Sequence, residues 1–140
     1  MNTGRVHKSL RTMALSVTYM VCAGVLNAHH SFAEFDREKP VNLQGKIAKM
    51  EWTNPHSWVY IEVKGSDGNM QVWAFEGGAP NALIRRGITK ESVPLGQEVV
   101  VKGYAAKDGS FRASAQSLTT LDGRKLMLGG TAPSDEEVKK

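Results

Sequence analysis

Hydrophobic and polar positions alternate with the two-residue period of β-strands over most of residues 41–128. From Val41 to Trp52, Val41, Leu43 and Ile47 share one phase, and Ala48, Met50 and Trp52 share the other. A change of phase beside Gly45 predicts a β-bulge that bends this first strand. Thr53-Asn54-Pro55-His56 reads as a loop, because proline cannot donate to a ladder. Trp58 to Val63 is the second strand, with Val59, Ile61 and Val63 on one face and Trp58 and Tyr60 on the other. Ser66-Asp67-Gly68-Asn69 turns the chain into a third strand, Met70 to Phe75.

The period then changes. Ala79 to Arg86 places Pro80 at a first helical position, follows it with Ala82, Leu83 and Ile84, and ends at Gly87, a pattern for a helix of about two turns. Val99 to Tyr104 is the fourth strand. Lys107-Asp108-Gly109-Ser110 turns into the fifth, Phe111 to Leu118, and Lys125 to Leu128 adds a short closing strand. Three strands, one helix and two strands is the order of an OB-fold, a five-stranded Greek-key β-barrel. The expected class is therefore all-β with one short helix, an OB-fold-like small barrel over residues 41–128. Residues 29–40 read as a polar N-terminal arm with Phe32 and Phe35 as anchors. Residues 129–140 lack apolar periodicity and read as a flexible C-terminal tail.

The first 28 residues follow another pattern. Met1 to Thr12 carries Arg5, Lys8 and Arg11 and no acid; Met13 to Leu26 is mostly apolar; Asn27-Ala28 supplies a small residue at a cleavage point. That order predicts a secretory signal peptide over residues 1–28, with Val21-Cys22-Ala23 as an earlier alternative cut. The consequence for charge is large. The whole chain has a net charge of +4 and a pI near 9.3, yet residues 29–140 hold 15 basic and 14 acidic residues. Nucleic acid is a poor partner for a nearly neutral domain, because binding it requires a basic field. The single cysteine, Cys22, leaves with the signal, so no disulfide or thiolate metal site is expected. No second apolar run approaches the roughly 20 residues that span a bilayer. A periplasmic or secreted product is expected.

Cleavage after Ala28 would make His29 the first residue. Its α-amino group and imidazole could then chelate one metal ion together. A further imidazole from His56, or from His30, would complete an all-nitrogen site of the kind that suits Cu(II). The arm between them reaches roughly 40 Å at about 3.3 Å per residue, enough to fold back on the His56 loop. Against this stand plainer roles: a solvated arm for His29 and His30, and a loop hydrogen bond near Pro55 for His56. The aromatic residues Trp52, Trp58, Tyr60 and Trp73 suggest a metal-free alternative, in which Trp58, Tyr60, Trp73 and Glu76 bind a glycan, a peptide or an envelope protein on the face of strands two and three. Glu76 also has a structural role available, at the start of the helix, where the dipole favours a negative charge. No Ser, Cys or Lys nucleophile stands in a recognisable setting and no phosphate loop is present, so no catalytic residue is assigned.

The combination of His29-His30-Ser31-Phe32, Trp52-Thr53-Asn54-Pro55-His56-Ser57 and Trp73-Ala74-Phe75-Glu76 resembles domain-of-unknown-function family 6152, small secreted bacterial proteins. Pro80-Asn81-Ala82-Leu83 with Arg86-Gly87, Ala106-Lys107-Asp108-Gly109-Ser110 and Asp122-Gly123-Arg124 extend the resemblance over nearly all of residues 29–128. It implies no activity. It does mark both histidine-bearing stretches as family motifs.

Overall fold

The computed structural model describes residues 33–129. The chain divides into two compact units, Met1–Glu34 and Phe35–Lys140, and the fold below is that of the second. The expected signal peptide, His29, His30, Phe32 and the C-terminal tail beyond Gly129 lie outside the described residues.

The unit contains β1 (Phe35–Glu51), β2 (Trp58–Lys64), β3 (Met70–Glu76), α1 (Pro80–Arg85), β4 (Glu98–Ala106), β5 (Arg112–Thr120) and β6 (Lys125–Met127), with a 3-10 turn at Lys90–Ser92. The sheet order is β3-β2-β1-β4-β5-β6, and β3 also pairs with β5. That extra pairing is parallel, Ala74 to Glu76 against Arg112 to Ser114, whereas all the others are antiparallel. The five longer strands therefore close into a ring, β1-β2-β3-β5-β4-β1. This is the circular order of the OB-like fold that the element sequence predicts, with the short helix between β3 and β4 as expected.

A single strand joins two neighbours only if it is long and bent. β1 pairs with β4 from Phe35 to Lys46 and with β2 from Lys46 to Glu51. It begins six residues before the Val41 start that alternation suggests, so residues 35–40 belong to the strand and not to a free arm. Charge hid this segment. Arg37, Glu38, Lys39 and Pro40 are all exposed, and only Phe35 is buried. The bulge lies between Ile47 and Lys49, where the register against β2 slips by one residue, slightly beyond Gly45. Gly45 has its own reason to lack a side chain. A Cβ there would stand 2.3 Å from the Glu62 carbonyl oxygen of β2.

The interior holds Val59, Ile61, Phe75, Val99, Val101, Ala113, Ala115 and Leu118 from the strands. The β3–β4 connection adds Leu83, Ile88 and Val93. Leu83 lies on α1, and its side chain is fully buried. Pro80 opens the helix with no N–H to satisfy. Gly87, at φ 76°, ends it as expected of a left-handed cap residue. Burial of this apolar set is the main source of stability in a small unit whose described residues hold no cysteine.

Candidate functional site

β1 and β2 are joined by Trp52 to Ser57, a loop with a cis Asn54–Pro55 peptide. His56 lies near its end. The Thr53 hydroxyl donates to the His56 carbonyl (3.2 Å) and fixes the loop on one side. Ser57 fixes it on the other. Its N–H and its Oγ both donate to the Gly78 carbonyl (3.1 and 2.9 Å), and its own carbonyl accepts the Gly77 N–H (2.8 Å). The Gly78 N–H in turn donates to the Leu128 carbonyl (2.8 Å). The segment beside His56 is thus clamped to the segment beside Glu76. Close approach favours glycine at 77, because a Cβ there would meet Ser57 Oγ at 2.8 Å and force that hydroxyl to shift.

The clamp brings two ionisable groups together. His56 Nδ1 stands 2.5 Å from Glu76 Oε1. The carboxylate side chain is 8% exposed and the imidazole 31%. Burying a carboxylate is costly unless polar partners compensate it, and His56 is one such partner. Glu76 therefore does not serve the helix start. No acid stands in the first turn of α1, and Glu76 ends β3 opposite Trp58. The loop role expected of His56 falls to its backbone carbonyl, and its side chain goes to Glu76.

The four residues of the aromatic alternative do not share one surface. Trp58 and Tyr60 alternate with the buried Val59 and Ile61 and so point outward. Trp73 packs against the core, with its ring centroid 6.3 Å from Phe75 and 5.4 Å from Phe111. This phase was readable, since Trp73 and Phe75 are two residues apart on one strand and must face the same way. On the outer face the Arg112 guanidinium stands 5.3 Å from the Trp58 ring centroid, and Lys49 Nζ 5.2 Å from that of Tyr60.

Lys49 also pairs with Glu51, and the Tyr60 hydroxyl donates to Glu51 Oε2 (3.0 Å). The Lys49 hydrogen bond, with help from Tyr60, holds the Glu51 carboxyl below the usual carboxylate range. Partial burial and the bond to Glu51 push the Tyr60 phenol above its ordinary value. Sequence reasoning passed over Ser57, Gly77, Glu51 and Arg112. The Ser57 position next to His56 and the glycine pair after Glu76 were the available signals.

Among the described residues, no three His, Cys, Asp or Glu side chains converge as a ready metal site. Nor do the described residues include a helix long and apolar enough to cross a membrane. No curated protein and no solved structure matches the chain. Residues 17–115 match the family of unknown function DUF6152, the family its motifs resemble, and the chain belongs to it.

Proposed function

We propose that the processed chain is a periplasmic or secreted protein that binds copper, as Cu(II), through the amino-terminal His29 and the loop residue His56, with His30 as a further donor. It would store, deliver or sense the ion. The observation that carries this reading is the state of His56. Its Nδ1 is engaged by Glu76, its ring is about a third exposed, and its loop is clamped on both sides. Such an imidazole has one nitrogen committed and leaves Nε2 for a ligand. His56 and Glu76 alone make no three-donor site, and on this reading His29 and His30 supply the remaining donors. His29 and His30 are six and five residues before the start of β1, a reach of about 20 Å from Phe35 when extended.

The aromatic alternative is less favoured. Cations already stand over the Trp58 and Tyr60 rings that a glycan would stack on, and Trp73 faces the core. Native mass spectrometry of secreted protein, with Cu(II) added, tests the proposal directly. The expected result is a chain beginning at His29 that carries one copper ion. A chain with that terminus and no stoichiometric copper would sink the idea. One extra residue before His29 should weaken binding; unchanged affinity would remove the α-amino group from the site.

A further inference from the structure

We infer that Glu76 is a positioning residue for the metal site: it holds His56 in the Nδ1–H tautomer, so that Nε2 is the ligating atom. This rests on the copper reading for its functional sense, but its structural half stands by itself. An ionised carboxylate can only accept hydrogen bonds. At 2.5 Å from Glu76 Oε1, Nδ1 supplies the shared proton to an ionised Glu76, whereas a protonated Glu76 would donate instead and leave the ring proton on Nε2. With Glu76 ionised and the ring neutral, the other nitrogen, Nε2, holds a lone pair. A free imidazole side chain prefers the opposite tautomer, so the choice has to be imposed by the surroundings.

The surroundings are built to impose it. Glu76 sits on a strand end rather than a loop, in register with Trp58 of β2 and Ser114 of β5. Its near-complete burial limits the water that could replace the imidazole. The Ser57–Gly78 and Gly77–Ser57 hydrogen bonds set the spacing of the two backbones that carry the pair. Carboxylate–histidine–metal units work in this way: the carboxylate fixes ring orientation and raises the basicity of the ligating nitrogen, and its loss costs about 10–100-fold in metal affinity. A neutral nitrogen donor of this kind suits late divalent metals such as copper, and not magnesium or calcium, which take oxygen ligands.

Two measurements on the processed chain with an authentic His29 terminus separate the inference from the reading beneath it. The first is nitrogen NMR of the histidine rings in metal-free protein at alkaline pH. It should show His56 with a protonated Nδ1 and a bare Nε2, and Glu76→Ala should move the ring toward the Nε2–H form. Wild-type His56 in the Nε2–H form would overturn the inference. The second is a Cu(II) titration of wild type, the near-isosteric Glu76→Gln and Glu76→Ala, each checked for a cooperative thermal transition. A loss of affinity of about 10–100-fold is expected in Glu76→Ala. Tight wild-type binding with unchanged affinity in both Glu76→Gln, whose amide oxygen can still accept from Nδ1–H, and Glu76→Ala would overturn the positioning role and leave the copper site standing. No copper binding by wild type, with the tautomer as expected, would overturn the copper reading and leave the Glu76–His56 assignment standing. Should Glu76→Gln fail to fold, the wild-type tautomer alone decides the structural half.

Discussion

At the scale of single residues, the unit depends on places where a side chain has no room. Gly45 faces the Glu62 carbonyl oxygen and Gly103 faces that of Ser114, each closer than a Cβ can stand. Gly45→Ala and Gly103→Ala should each destabilise the fold by about 1–3 kcal/mol, the usual range for overpacking, read as a lower urea midpoint. Gly77→Ala should act differently. Its Cβ would press on Ser57 Oγ, so the expected result is a displaced His56 loop and, on the proposed copper reading, weaker Cu(II) binding. Retained affinity in Gly77→Ala would show that the Ser57 clamp does not position His56. His56 was readable as a candidate because it was one of few histidines, in a loop. Its partner was not readable. Glu76 lies 20 positions away, and it takes the Trp58↔Glu76 register together with the Ser57 clamp to bring the two together.

At the scale of elements, the strands and the helix were legible because each carries its own period. β2 alternates cleanly, and α1 is bounded by Pro80 and Gly87. What local pattern could not supply was the start of β1. Between Phe35, which is buried, and Pro40 the chain is charged and mostly exposed, and β4 holds it at its two ends, with Ala106 opposite Phe35 and Tyr104 opposite Pro40. The 3-10 turn at Lys90–Ser92 was also missed. Its capping is local, with the Ser92 hydroxyl accepting the Thr89 N–H (2.8 Å), but three residues are too few to show a period. α1 has only six residues and cannot be stable alone, so packing must hold it. Leu83 is the residue that does so, with its side chain fully buried. Leu83→Ala should cost about 2–5 kcal/mol, measured by chemical denaturation. A cost below about 1 kcal/mol would mean that the helix is peripheral to the core.

At the scale of the whole molecule, the hairpin turns share one electrostatic device. Asp67 accepts from the Asn69 side chain and N–H, Asp108 from the Ser110 hydroxyl and N–H, and Asp122 from the Thr120 hydroxyl. Those bonds hold all three carboxyls below the usual range. Each contributes stability that is complete above the unfolded-state value of about 4 and is lost as pH falls through the lower folded-state value. These three carboxyls should therefore add no pH dependence to the denaturation midpoint between pH 7 and pH 5 and should lower it below about pH 4, a decline that is less steep in the triple Asp→Asn variant. A flat acid limb in the wild type would count against this. The donors are neutral N–H and hydroxyl groups, so added salt should have little effect on these short-range bonds. The parallel contact of β3 with β5 bears on how the molecule is made. It spans only three residue pairs, yet it alone turns an open sheet into a ring. Its two sides lie 38 positions apart in the chain, Ala74 with Arg112. A chain emerging amino terminus first can form the β2–β3 hairpin early, but it cannot close until residues 112–114 have appeared. Until then it is a half-made sheet with Phe75 uncovered, able to be threaded onward and vulnerable to other chains in the same state.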